Sequence, residues 1–244
     1  GGTPSAAGAG YEAGRIQAWF DHYLKGTAAG TGPAFAYYRD WDGTVGTATG
    51  YPVGSARRYY LSQADLVTSP AAIRAGSQSF VTPAAGAPSS LGGLDAVGSQ
   101  VSLPFDQPDE NVPGSFASWV GAPLTSPLTV VGIPTLDVQV SAPTAASQSS
   151  GPAGQLVLFG KLYDQSPDGS RQLINGLVAP IRIADVTRPV HLTLPGIAHR
   201  FAAGHRLALY LAGGDLNYRG GLAATPVTVS TGSSGQLLSL PVLP

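Results

Sequence analysis

Cysteine and methionine are both absent from the 244 residues. Without cysteine there is no disulfide, no thiolate ligand for zinc or an iron–sulfur centre, and no cysteine nucleophile. Without methionine the sequence has no initiator, and its opening, GGTPSAAGAG, lacks the basic start and apolar run of a signal peptide. The expectation is a processed chain or a portion of a longer one. Charge is scarce too. Only 11% of residues are charged, 13 Lys and Arg against 14 Asp and Glu, giving a formal net charge of −1. Such a composition offers no basic surface to nucleic acid or to an anionic membrane, so neither is expected as a partner. No apolar run is long enough for a membrane span.

Glycine (33) and proline (21) are plentiful, beside a hydrophobic fraction of 43%. Many turns, few long helices and a real core are what that mixture implies. One stretch carries a helical period: in YEAGRIQAWFDHYLKG (11–26), Ile16, Trp19, Phe20, Tyr23 and Leu24 recur at three-four spacing. Lys25 falls in the last turn and Gly26 sits where a C-terminal cap belongs. A helix this short needs a surface for its apolar face. That surface is either the β region of this chain or a domain lying outside it.

The rest reads as strand and turn. Phe35, Tyr37 and Tyr38 suggest a short strand leading to a turn at Asp40, Trp41 and Asp42, and RRYYLS (57–62) and QSFVT (78–82) suggest two more. Residues 83–115 are turn-rich and include PFDQPDENVPG, an acidic surface loop by composition. From 116 onward short alternating runs follow one another: LTVVGIPTLDVQVS, GQLVLFGKLYD, RQLINGLVAPIRI, PVHLTLPG, HRLALYLAGG, TPVTVSTG and GQLLSLPVLP. Strands spaced about ten to twenty residues apart with no helical pattern between them predict an all-β sandwich or jelly roll. Three regions are expected: 1–26 with the helix, 27–115 with short strands and long loops, and 116–244 as the sandwich core.

Catalytic candidates are few. No G-x-S-x-G elbow occurs. Of four histidines, His22 lies off the helix stripe and His191 alternates outward from its strand. His199 and His205 stand six apart in AHRFAAGHRLALY, a spacing unsuited to a metal pair on one strand or helix, and no acid nearby completes a ligand set. Neither a metal nor another cofactor is therefore expected. The expected role is structural: a turn at Ala-Ala-Gly, Phe201 buried, and His205 and Arg206 satisfying backbone carbonyls or pairing with acids such as Asp215. Asp164 and Asp168 flank a turn, where they serve local backbone bonds. Asp106, Asp109 and Glu110 read as solvated charge in the acidic loop. The aromatics Trp41, Trp119, Tyr163, Tyr210 and Tyr218 are candidates for stacking against a sugar or peptide.

The order of four pieces resembles the C-terminal part of the X-Pro dipeptidyl-peptidase / cocaine esterase-like serine hydrolases. They are WFDHYLKG (19–26), FASWVGAPLTSPLTVVGIPTLDVQVS (116–141), GQLVLFGKLYDQSPDGSRQLINGLVAPIR (154–182) and LTLPGIAHRFAAGHRLALYLAGGD (192–215). The resemblance implies a jelly-roll, galactose-binding-like β-sandwich, preceded by the last helix of an α/β-hydrolase domain that lies outside this chain. It implies that the Ser-His-Asp triad also lies outside, so that no residue of this chain is catalytic. Gly204, His205 and Arg206 match the family's Gly-His-Arg strand start, Pro167, Asp168 and Gly169 its hairpin turn, and Asp215 the end of the following strand. Leu216, Asn217 and Tyr218 depart from the family's Ser-Asp-Phe-Pro pattern, leaving Trp41 and Tyr218 as candidate walls of a substrate cleft. The implied partners are an N-terminal hydrolase domain or chain and a peptide or ester substrate. Secretion is the expected location, with a processed cytoplasmic protein as the alternative. The competing functional reading is a free-standing sandwich module that binds carbohydrate or protein.

Overall fold

Helix α1 spans Ala6–Tyr23, five residues earlier at its start than the apolar period alone predicts. The alanines of AAGAG extend it without adding to the stripe. It closes as expected at Gly26, with the Thr27 amide donating back to the Asp21 carbonyl at 3.1 Å and Lys25 pairing with Asp21. The stripe itself is uncovered: Ile16, Trp19, Phe20, Tyr23 and Leu24 are 47–73% exposed, and Trp19 packs against Phe20 and Tyr23.

The structure is a computed structural model that describes residues 6–28, 30–90, 111–148, 151 and 154–244. The candidate acids Asp106, Asp109 and Glu110 lie outside the described residues. Sixteen strands are found among those described. A two-stranded ribbon comes first, β1 (Phe35–Tyr38) with β2 (Val45–Ala48). Then follow β3 (Ser55–Ser62), β4 (Asp65–Val67), β5 (Gly76–Val81), β6 (Phe116–Gly121), β7 (Leu128–Gly132), β8 (Thr135–Val138) and β9 (Val140–Ser141). The short helix α2 (Pro143–Gln148) leads to β10 (Leu156–Gln165), β11 (Arg171–Ile183), β12 (Val190–Thr193) and β13 (Ile197–Phe201). The chain finishes with β14 (Arg206–Ala212), β15 (Pro226–Thr231) and β16 (Leu237–Val242). No helix among the described residues is long and apolar enough to cross a membrane.

The strands build an all-β sandwich. One large sheet runs β11-β10-β14-β6-β4-β3-β16-β7-β13, with β8 branching from β16 to hold β12. It folds back on itself through the β3–β4 hairpin, so β12 and β8 lie over β10. The contact is close: a Cβ at Gly160 would stand 2.5 Å from a Leu192 methyl and 2.7 Å from one of Leu194. A smaller sheet, β5-β15-β9, is tied on by Gln78, whose side chain accepts from the Ser118 amide and donates to its carbonyl at 3.0 and 2.7 Å. The main core gathers Leu61, Trp119, Leu136, Leu158, Leu209 and Leu238, all inaccessible.

The alternation in β10 and β14 predicts one buried face and one wet one. The structure buries both. Leu156, Leu158 and Leu162 enter the main core, while Val157, Phe159 and Tyr163 join Ala208, Tyr210 and Ala212 in a second cluster. Segments 82–90 and 213–222 cover this second face, linked by Ala85 and Gly86 donating to the carbonyls of Leu222 and Gly221. Beneath them lies a charged pair that sequence reading did not single out. Lys161 Nζ is 2.8 Å from Asp215, with both side chains fully buried. Ser90 bonds both partners, Asn111 reaches Lys161 at 3.5 Å and Tyr163 at 2.9 Å, and the Asn217 amide donates to Asp215. Ser90 and Asn111 also form an antiparallel bridge. Asp215 therefore answers Lys161, not the His205–Arg206 pair.

Candidate functional site: an aromatic cleft and a histidine–carboxylate chain

The ribbon β1–β2 stands over the edge formed by β7 and β13, and between them opens a cleft of about 570 Å³. Its ribbon side carries Phe35, Tyr37, Tyr38 and Tyr51, and its sheet side Val131, Ile133 and Ile197. The aromatic wall is continuous, with Phe35 stacked on Tyr37 at 5.8 Å and tilted against Tyr51 at 5.1 Å. Tyr37 lies flat across the ribbon because its cross-strand partner is Gly46; a Cβ there would stand 2.4 Å from the ring. The hydroxyl of Tyr51 accepts from the Ile133 amide at 3.2 Å, joining wall to floor.

The remaining side of the cleft comes from an irregularity in β11. Pairing with β10 jumps from Lys161↔Val178 to Tyr163↔Leu173, so Ile174–Leu177 bulge out of the ladder. Asn175 and Gly176 both take positive φ, 54° and 61°, the conformation an Asn-Gly pair adopts in a tight turn. The bulge brings Asn175 and Leu177 into the lining.

At one end of the cleft a chain of ionisable groups begins. Asp40, in the ribbon's turn, is 2.6 Å from His199 Nδ1. His199 Nε2 is 3.0 Å from one oxygen of Asp164, and the other oxygen is 2.8 Å from His205 Nδ1. Carboxylates only accept, so a histidine facing one on each ring nitrogen donates from both and is an imidazolium. Burial disfavours that charge, but the hydrogen bonds to Asp164 and Asp40 and their negative charge outweigh it, pushing the His199 pKa up to about 9. For Asp164, burial again opposes ionisation, and the bonds from His199 and His205 hold the carboxyl below its ordinary value. This chain ties the ribbon to the end of β10.

A pH dependence follows with a definite sign. His199 has its pKa raised on folding, so its contribution is complete below about 6.5 and fades as pH rises through about 9. Asp164 has its pKa lowered, so its share is present above 3.8 and fades as pH falls through the folded-state value. Thermal unfolding measured from pH 6 to pH 10 is expected to lose about 1–3 kcal/mol of stability, and His199→Gln to flatten that slope. An unchanged slope in His199→Gln would show that the loss arises elsewhere.

The sequence candidates fall in two places. Gly204 takes φ +83° and its amide donates to Leu124; a Cβ there would stand 3.6 Å from Pro167, so the Gly-His-Arg and Pro-Asp-Gly segments are neighbours. Arg206 donates to the Gly121 carbonyl at 3.0 Å. Asp168 accepts from the amide and hydroxyl of Ser170, and the Gly169 amide closes the turn onto Ser166. Asp164, expected to serve that same turn, instead bridges two histidines. Trp41 is half-buried in the ribbon's turn, and Tyr218 is 42% exposed beside Phe159; neither is on the described lining of this aromatic cleft, which is not the hydrolase cleft they are expected to wall. His191 sits outside on β12, 2.7 Å from Asp137. Among the described residues no group of three or more His, Asp or Glu is placed to hold a metal ion.

A family model described as the X-Pro dipeptidyl-peptidase C-terminal non-catalytic domain matches residues 39–232. The chain belongs to that family. The match covers Asp40, the His199–Asp164–His205 chain and the Lys161–Asp215 pair, so both charged arrangements lie within the non-catalytic domain. Solved structures agree on the fold. An aminopeptidase from a marine sediment archaeon, a Thaumarchaeota archaeon, superposes with a TM-score of 0.66 at 15% identity, over 97% of this chain and 45% of that one. A CocE/NonD family hydrolase from Staphylococcus aureus gives 0.64 at 14%, over 98% and 47%. An α-amino acid ester hydrolase gives 0.62 at 18%, over 93% and 44%. The chain thus spans a little under half the length of these structures. No curated protein sequence matches.

Proposed function

We propose that the chain is the C-terminal, non-catalytic portion of a serine hydrolase, an X-Pro dipeptidyl aminopeptidase or a related acyl esterase or amidase. In this reading α1 completes an α/β-hydrolase domain supplied from outside residues 1–244, and the sandwich stabilises that domain and walls its substrate cleft. Nucleophile, base and acid belong to the partner, which carries acyl transfer to water through an acyl-enzyme. The observation that carries this reading is the uncovered face of α1. The last turns of α1, with Leu24 just beyond, present five large apolar side chains to solvent, where an isolated helix of this length gains little from its own hydrogen bonds. The family match and the near-complete coverage of this chain by the aminopeptidase and hydrolase structures support it. An independent carbohydrate-binding module gives no account of such a face.

The test is labelling. A fluorophosphonate probe applied to material containing the partner is expected to modify a serine outside residues 1–244, and the chain alone is expected to stay unlabelled. Replacing Trp19 and Tyr23 together by Ser is expected to lower the unfolding midpoint of the hydrolase part and, where that part is a separate chain, to release it on size-exclusion chromatography. Labelling within residues 1–244, or a fully active chain without a partner, overturns the proposal.

A further inference from the structure

The cleft has a composition that selects ligands, and nothing above assigns it one. Its volume, about 570 Å³, is that of a small-molecule site. Three ring systems, Phe35, Tyr37 and Tyr51, form one wall; Arg39 already lies over the Tyr37 ring at 6.0 Å, and the negative π-faces of Phe35 and Tyr51 favour a cation or the positive edge of another ring. Among the described residues Asp40 is the single charged residue on the lining; the neighbouring Arg39 pairs with Asp42. One oxygen of Asp40 bonds His199, while the other has no hydrogen bond among the described residues. The imidazolium of His199 is shared with Asp164, which leaves Asp40 incompletely neutralised. Besides Asp40 and Asn175 the polar side-chain groups on the described lining are three tyrosine hydroxyls, and that of Tyr51 is taken by the Ile133 amide, so a sugar would bury most of its hydroxyls without partners.

We infer that the cleft binds a protonated amine carried on an apolar or aromatic body, with the ammonium at the open oxygen of Asp40 and the body against Phe35, Tyr37 and Tyr51. The site lies wholly within this chain and does not depend on the hydrolase reading: it can fail while the labelling result stands, and the reverse.

Three probes of matched shape separate the contributions: 2-phenylethylamine, 2-phenylethanol and phenylacetate, titrated by calorimetry into the full chain at pH 7. The amine is expected to bind about tenfold tighter than the alcohol, and the acid weaker than either. Asp40→Asn is expected to erase the preference for the amine. Because that variant also touches His199, a second is needed: Ile133→Trp, at the exposed rim of the cleft, fills the space without touching the charged chain. It is expected to abolish binding of all three with the thermal midpoint retained. Equal affinity for amine and acid, binding that survives Ile133→Trp, tighter binding of methyl glucoside than of the amine, or no saturable binding at all would overturn the inference.

Discussion

Lys161→Met is expected to cost about 3–5 kcal/mol of folding stability. The ammonium is fully buried, 2.8 Å from an equally buried Asp215. Removing it leaves a carboxylate in the interior with one hydroxyl, from Ser90, and one amide, from Asn217, as its donors among the described residues. An uncompensated buried charge is costly because the interior cannot reorganise around it as water does. The pair itself is a different matter, since its formation also required stripping water from two ions. Lys161→Met combined with Asp215→Leu is therefore expected to recover much of the loss. Guanidinium denaturation of the two single variants and the double variant gives the cycle directly. A single variant within the error of the parent would mean that water or a rearranged Asp215 compensates the charge.

Asp164→Asn is expected to have the next largest effect, about 2–3 kcal/mol near pH 6. Its carboxylate accepts from two histidines at 3.0 and 2.8 Å, and an amide cannot accept from both with both oxygens. The loss is expected to shrink toward pH 10, where His199 gives up its second proton and needs one acceptor fewer. Asp168→Asn, four residues along in the exposed turn, is the control. Its bonds to Ser170 are ones an asparagine can keep, and the unfolding midpoint is expected to stay put. If the two substitutions behave alike, the chain from Asp40 to His205 does not hold the ribbon.

The sandwich was readable because its signals are local. Alternating runs mark β7, β8, β10, β11, β12, β14, β15 and β16, whereas β6 and β13 fall outside them. The charged contacts were not readable, because their partners are far apart in sequence: 159 residues separate His199 from Asp40, and 35 separate it from Asp164. A histidine on a strand looks the same whether its face meets water or a carboxylate. Two signals were nonetheless present. Lys161 interrupts an otherwise apolar run, and a lysine inside a strand buried on both faces requires an acid. Asn175-Gly176 is a hairpin dipeptide in the middle of a strand, and it marks the bulge that shapes the cleft.

The bridge between Ser90 and Asn111 has a consequence for how the fold is held together. It joins two positions 21 apart in sequence, and both residues bond the Lys161–Asp215 pair or one of its partners. The buried charges thus work as a clasp that fastens Ser90 and Asn111 to strand β10 and to the segment after β14.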